Sequence, residues 1–124
     1  MAPLPPQDPP GVDFAELREL ALALPAVEEG VCYGTPAFRV KGRFLLRLRE
    51  DGETLAVRIP MDERDALLQM DPDVYFLTDH YRAYPAILVR LARVRRGQLA
   101  DLLELAWRAQ APKRLVAAFD ALQA

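Results

Sequence analysis

Serine and asparagine do not occur in this chain of 124 residues, and cysteine and histidine occur once each, as Cys32 and His80. The absence of serine excludes a catalytic triad built on a serine nucleophile. A structural zinc site takes most of its ligands from cysteine and histidine, so one residue of each type is too few to predict such a site.

The six glycines do not form a phosphate-binding fingerprint. No two of them are separated by a single residue, and none precedes a Lys-Ser or Lys-Thr pair. The dinucleotide-binding and P-loop motifs are therefore both missing. From these absences we predict a protein that is not an enzyme, with no catalytic residues, no metal ion and no cofactor.

Long hydrophobic runs are also missing, and none approaches the length that a membrane-spanning helix needs. The single cysteine cannot form an intramolecular disulfide, and the N-terminus has no basic stretch followed by an apolar signal region. These features predict a cytoplasmic protein that has no membrane partner.

The length of the chain is enough for one hydrophobic core. Five of the eleven prolines lie within the first ten residues, where no periodic pattern is visible. We therefore predict a disordered, proline-rich tail over residues 1–12 and a single domain over residues 13–124.

The spacing of the apolar residues predicts helices that flank a sheet. Asp13 followed by Glu16 has the form of a capping box, which predicts a first helix over residues 14–24, with residues 28–30 as its exit loop. Further helices are predicted over residues 62–70, 98–110 and 113–122, and two strands over residues 74–78 and 86–91.

Three more strands, between residues 33 and 59, form the predicted centre of the sheet. If Asp51-Gly52 is a two-residue turn, apolar side chains face each other on one side of the second hairpin. These pairs are Leu48 with Leu55, Leu46 with Val57, and Phe44 with Ile59.

The first hairpin of this meander has two possible turns. A two-residue turn at Lys41-Gly42 would mix the two faces of the sheet. A three-residue loop over residues 41–43 pairs Val40 with Phe44 and Phe38 with Leu46, and we prefer it for that reason. The element order α-β-β-β-α-β-β-α-α then predicts an α+β fold, in which a five-stranded antiparallel sheet carries its helices mainly on one face.

Basic side chains are concentrated on the strands, although the net charge is −2. Residues 36–60 contain six basic and three acidic residues, whereas residues 61–79 contain one basic and six acidic residues. In the predicted register several arginines share the sheet face opposite the core and could contact a phosphate backbone. The candidate nucleic-acid-binding residues are Arg39, Lys41, Arg43, Arg47, Arg49, Arg58 and Arg90. A solvated face with no ligand is the alternative interpretation.

The polar connection over residues 79–85 contains His80, Tyr81 and Tyr84, which are candidates for contact with a ligand. His80 could act as a base, but a structural role at a strand end, holding the loop, is the favoured interpretation. Cys32 is predicted to be partly buried and inert. Tyr33, with Tyr81 and Tyr84, could also take part in base stacking, while Phe38 and Trp107 are expected to lie in the core.

The chain resembles the MmcQ/YjbR-like family in three places: residues 33–44, which read YGTPAFRVKGRF, residues 79–91, which read DHYRAYPAILVRL, and Trp107 in a closing helix. The resemblance covers about residues 14–110. It implies a fold similar to CyaY-like and secretion-chaperone-like domains, and many members carry the label of DNA-binding protein. It brings no catalytic residues with it.

Three functions follow as hypotheses. The first is a non-enzymatic module that binds DNA or another nucleic acid through its basic sheet face. The second is a protein-interaction adaptor of the secretion-chaperone type, with a homodimer or another protein as its partner. The third, placed last, is a small-ligand binder or enzyme centred on His80, Tyr81 and Tyr84.

Overall fold

One antiparallel sheet and four helices make up residues 9–123, the part of the chain that the computed structural model describes. The helices are α1 (Phe14–Leu22), α2 (Met61–Met70), α3 (Arg96–Gln110) and α4 (Lys113–Gln123). The strands are β1 (Val27–Cys32), β2 (Thr35–Val40), β3 (Arg43–Leu48), β4 (Thr54–Arg58), β5 (Tyr75–Phe76) and β6 (Ala86–Arg90). Across this range no helix has both the length and the low polarity that crossing a bilayer requires.

The strands lie in the order β1-β2-β3-β4-β6-β5, and every neighbouring pair is antiparallel. The predicted α+β class with an antiparallel sheet is confirmed. The sheet has six strands, however, where five were predicted. The additional strand is β1, which includes residues 28–30, the predicted exit loop.

β1 forms because of its hairpin with β2 and in spite of its own composition. Glutamate and glycine, which occupy residues 28–30, are depleted in strands. Tyr33 and Gly34 connect the two strands with φ values of 52° and 76°. Positive φ at both positions is what the tight two-residue hairpin turn requires, and this turn brings residues 27–32 alongside β2.

The β2–β3 hairpin turns on two residues where three were predicted. Lys41 and Gly42 have φ values of 49° and 79°, so both adopt the left-handed conformation of a two-residue turn. Val40 consequently pairs with Arg43. The predicted pairing of Val40 with Phe44 was wrong.

A bulge in β3 reconciles this short turn with the hydrophobic pattern. Phe38 pairs with Leu46 as predicted, but the next pair along is Arg39 with Phe44, which leaves Leu45 as an extra residue on β3. Leu45 and Leu46 are both fully buried in the core. Phe44 turns to the opposite face, so its predicted position in the core was wrong.

The β3–β4 register is confirmed for Leu46 opposite Val57, Arg47 opposite Ala56 and Leu48 opposite Leu55. The predicted pair of Phe44 with Ile59 was wrong, because Phe44 lies beyond the bulge and β4 ends at Arg58. The connection is wider than the predicted two-residue turn, since the Gly52 N–H donates to the Arg49 carbonyl. The Asp51 carboxylate closes the loop by accepting from the backbone N–H groups of Glu53 and Thr54 at 2.9 and 3.0 Å.

The hydrophobic core lies on one face of the sheet. Each helix contributes to it or packs against it, for example through Leu17 of α1, Leu67 of α2, Leu103 of α3 and Phe119 of α4. Trp107 is fully buried, and its indole N–H donates to the Pro25 carbonyl at 2.9 Å. The predicted core positions of Phe38 and Trp107 are confirmed.

The segment before α1 is hydrogen-bonded to the connection between β6 and α3. The Gly11 and Val12 N–H groups donate to the carbonyls of Val94 and Leu91 at 2.9 and 2.8 Å. Asp13 caps α1 as predicted, accepting from the Glu16 N–H at 2.8 Å. Residues 1–8, the greater part of the predicted proline-rich tail, lie outside the described residues.

Candidate functional site

The outer face, which is the sheet face opposite the core, carries the five arginines predicted to share it. Strand pairing places Arg47 beside Ala56, Arg58 beside Ala86, and Arg90 beside Thr54. Arg39 and Arg49 follow from the same alternation. Lys41 lies in the β2–β3 turn and Arg43 begins β3, and both are exposed. The face itself is therefore as predicted, while contact with nucleic acid stays a prediction.

Arg47 is already engaged by the protein. Its side chain is only 9% exposed, and Nη1 donates to Thr35 Oγ1 at 3.3 Å and to Glu50 Oε1 at 3.2 Å. The guanidinium also lies over the Tyr33 ring at 5.2 Å. Burial by itself would lower the pKa of Arg47, but hydrogen bonding with Tyr81 and attraction to Glu50 raise it above its ordinary value. Arg47 thus links Tyr33, Thr35 and Glu50 at the centre of the outer face.

Arg90 and Arg49 are also committed to neighbouring groups. Arg90 stacks on Phe76 at 4.1 Å and donates to the carbonyls of Pro72 and Asp73 at 3.2 and 3.3 Å. Arg49 lies over the Tyr81 ring at 5.6 Å. Its Nε is buried without a hydrogen-bond partner among residues 9–123. Neither guanidinium is as available to a ligand as the strand pattern alone indicates.

Four cations remain available at one end of the face, and we call them the free cations: Arg39, Lys41, Arg43 and Arg58. Lys41, Arg43 and Arg58 are exposed and Arg39 is half-buried. Arg39 lies over Gly30, where an added Cβ would come within 3.4 Å of its Nη1. In the described part of the chain no side-chain hydrogen bond or ion pair neutralises any of the four.

An aromatic pocket opens beside the free cations. It has a volume of about 430 Å³ and is lined by Tyr33, Phe44, Arg58, His80, Tyr81, Tyr84, Pro85 and Ala86. Tyr33 is 83% exposed and Tyr84 is 52% exposed. The three predicted ligand-contact residues therefore lie together, and the structure adds Tyr33, Phe44 and Arg58 to them.

The rings of the loop contact one another. His80 meets Tyr81 edge-on, with ring centroids 5.1 Å apart and an interplanar angle of 87°. The His80 and Tyr84 ring centroids are 5.6 Å apart. Such contacts fix rings in place. Within residues 9–123 the ring contacts of His80 are with Tyr81 and Tyr84. A structural role for His80 stays the favoured interpretation.

Arg64 holds this loop from behind. It is 7% exposed on α2, and its Nη1 donates to the carbonyls of Tyr81, Arg82 and Tyr84 at 3.4, 3.0 and 2.9 Å. Its Nε bonds the Asp65 carboxylate at 3.0 Å. Sequence analysis missed this role. The available signal was that Arg64 is the one basic residue in the acidic segment 61–79.

Other candidate sites offer fewer groups that could bind a ligand or a metal ion. A hollow of about 600 Å³ between α2 and α3 is lined by Glu63, Asp101 and Glu104 beside Arg108, a setting that disfavours an anion. Cys32 is half-buried, as predicted. Within residues 9–123 no group of three or more His, Cys, Asp or Glu side chains is arranged to hold a metal ion.

The family model described as YjbR matches residues 22–109. The chain belongs to the YjbR family. The matched segment contains β1 to β6, the seven predicted cations and every residue that lines the aromatic pocket. The resemblance to the MmcQ/YjbR-like family is thereby confirmed.

Curated relatives of this YjbR-family chain include the uncharacterized proteins Rv2570 of Mycobacterium tuberculosis and Mb2600 of Mycobacterium bovis. Each is 47% identical over 70 residues, which cover 55% of this chain and 54% of the relative. The alignment thus spans about half the length of these relatives. Their names state no activity.

A solved structure has the same fold. The crystal structure of Deinococcus radiodurans protein DR2400, described as a domain of the DUF419 family, matches with a TM-score of 0.66 at 21% identity. The match covers 78% of this chain and 77% of that chain. At this identity the likeness concerns the fold alone.

Proposed function

We propose that this YjbR-family chain is a non-enzymatic module that binds single-stranded nucleic acid on its outer face. The observation that carries the proposal is the aromatic pocket, which has two exposed tyrosines and is lined by Arg58, one of the four free cations. Proteins that bind single strands combine a cationic surface for the phosphates with aromatic rings on which bases stack.

Exposed rings favour a single strand over a duplex. The faces of duplex bases are already stacked on each other, so they cannot stack on Tyr33 or Tyr84 unless the duplex opens. The free cations can contact phosphates in either form, but they supply no stacking. Arg47 is paired with the Glu50 carboxylate, and Arg90 is held by two backbone carbonyls and the Phe76 ring. The free cations therefore have more hydrogen-bond donors available for phosphates than these two arginines do.

The adaptor hypothesis stays a prediction with less support. β1 is an exposed edge strand, which is the usual place for pairing with another chain. Its central residues, Glu28 and Glu29, are acidic, and charged side chains on an edge strand oppose such pairing.

The proposal is tested by measuring fluorescence anisotropy of a labelled single-stranded 12-mer at about 50 mM and about 200 mM salt. We expect affinity to fall with salt with a log–log slope of roughly −3, the value for four phosphate contacts on a single strand. Arg58→Glu should weaken binding and make the slope shallower.

Arg114→Glu is the matched control, since it makes the same charge change at an exposed position on α4. This helix packs against α3, with the ring centroids of Phe119 and Trp107 5.0 Å apart. An unlabelled duplex serves as competitor and should compete less well than the unlabelled strand. No binding at the lower salt concentration, or an affinity that does not change with salt, would contradict the proposal.

A further inference from the structure

We infer that the aromatic pocket takes one unstacked nucleobase with its phosphate, so that a free nucleoside monophosphate binds there on its own. This inference rests on the proposed function and names the ligand of one part of the outer face. The remaining free cations would then serve only the continuation of a strand.

The size of the pocket suits a small ligand. Its volume of about 430 Å³ falls within the range of roughly 300–1,000 Å³ that is usual for small-molecule sites. The pocket is open to solvent, since four of its lining residues are exposed: Tyr33, Arg58, His80 and Tyr84. A base can therefore enter while its sugar and phosphate stay at the surface.

The walls of the pocket suit a planar ring. Phe44 comes from β3, Tyr33 from the β1–β2 turn, and Tyr84 from the connection between β5 and β6. Rings thus approach the hollow from three separate elements. A flat, aromatic ligand gains stacking energy from such walls.

The charge at the pocket suits an anion. Arg58 is exposed at its rim and has no acidic partner, and none of the described residues that line the pocket is acidic. A guanidinium binds phosphate oxygens in a fork of parallel hydrogen bonds. Asp79, the carboxylate that directly precedes His80 in the chain, is paired with Arg82 at 2.8 Å.

The pocket is assembled before any ligand arrives. Arg64 fixes the backbone of residues 81–84 through three carbonyls, and the Ile59 N–H donates to the Pro85 carbonyl at 3.0 Å. The bulge at Leu45 is what turns Phe44 toward the pocket. A site whose walls are already in place loses less entropy on binding.

Isothermal titration calorimetry with adenosine 5′-monophosphate, adenosine and ribose 5-phosphate tests the inference. We expect saturable binding of the monophosphate and weaker binding of the other two, since each lacks one half of the ligand. Tyr84→Ala should weaken monophosphate binding roughly 5- to 150-fold through lost stacking. Arg58→Gln should weaken it by about tenfold or more, and Arg114→Gln should leave it unchanged.

Competition against the labelled 12-mer separates the inference from the proposed function. Displacement of the strand by the monophosphate supports both. Binding of the strand with no binding or competition by the monophosphate overturns the inference alone. If neither ligand binds, both are overturned. Circular dichroism of each variant shows whether a loss of binding comes from a loss of fold.

Discussion

Phe44 lies on the outer face although strict alternation along β3 places its side chain in the core. The cause is the single extra residue, Leu45. Both Leu45 and Leu46 lie in the core, and the side chain of the preceding residue, Phe44, is turned to the opposite face of the sheet. One bulge therefore changes a predicted core ring into a wall of the aromatic pocket.

Two alanine substitutions compare the burial of Phe44 with that of Leu46. We expect Phe44→Ala to lower the free energy of unfolding by roughly 1 kcal/mol, since its half-buried ring loses only part of the value of full burial. Leu46→Ala, at a fully buried position, should cost about 2–5 kcal/mol. Urea unfolding gives both values. Equal losses would place Phe44 in the core instead.

The arginines show that residue type alone does not tell which charges are available. Arg47 and Arg90 look equivalent to Arg58 in the strand pattern. In the structure Arg47 is tied to Thr35 and Glu50, and Arg90 to two carbonyls, while Arg58 stays at the surface. A guanidinium that already bonds the protein has fewer N–H donors left for a ligand than one without such bonds.

At the scale of elements, α2 matters to the site through one side chain. Arg64 links this helix to the loop that carries His80, Tyr81 and Tyr84. Without Arg64 the Arg82 carbonyl would lose its donor, while the Tyr81 and Tyr84 carbonyls would keep only the backbone N–H groups of Tyr84 and Ala86. A partly buried carbonyl without a partner is unfavourable. We therefore regard Arg64 as a positioning residue for the aromatic pocket.

Replacing this side chain should loosen the loop while the sheet remains folded. We expect Arg64→Lys to lower the free energy of unfolding by about 1–3 kcal/mol, because a single ammonium nitrogen cannot bond both the loop carbonyls that Nη1 reaches and the Asp65 carboxylate that Nε reaches. Amide hydrogen exchange of residues 81–84 should become faster. The exposed Arg114→Lys is the control and should change stability by less than about 0.5 kcal/mol. Unchanged exchange in Arg64→Lys would show that the loop does not depend on it.

At the scale of the whole molecule, charge is divided between the two sides. The outer face is basic at the free cations, whereas α2 and α3 present the carboxylates of Glu63, Asp101 and Glu104. This division allows a protein of net charge −2 to attract an anion to one face.

The ion pair between Arg108 of α3 and Asp120 of α4 makes the stability of the fold depend on pH. Hydrogen bonds from Arg108 to Asp120, at 2.7 and 3.2 Å, hold the pKa of Asp120 below its ordinary value of 3.8. A carboxyl whose pKa is lower in the folded state stabilises the fold above its unfolded pKa, and this stabilisation disappears as the pH falls through the folded value.

Asp120→Asn should therefore be less sensitive to acid than the parent chain. We expect the parent to lose more of its melting temperature than the variant as the pH falls below the ordinary carboxyl value of 3.8. At neutral pH the variant should be slightly less stable, since the pair is exposed and screened. Thermal unfolding followed by circular dichroism measures both effects. Parallel losses for the two proteins would exclude the pair as a source of acid sensitivity.

The sequence by itself determined the α+β class, the four helices, the register of β3 with β4, and the face that the arginines share. These features depend on local spacing, because helical and strand periods are written directly into the order of apolar residues. The resemblance of residues 33–44 and 79–91 to the YjbR family was likewise readable from the chain.

Only the tertiary structure decided that residues 28–30 form a strand, that Leu45 is a bulge, and that Arg64 reaches the loop over residues 81–84. Each depends on a partner that is distant in sequence or on one residue of register. Local propensity cannot encode either. The aromatic pocket combines all three, since it needs the turn after β1, the bulge in β3 and the Arg64 contact at once. For that reason the sequence predicted several of its members and not the pocket itself.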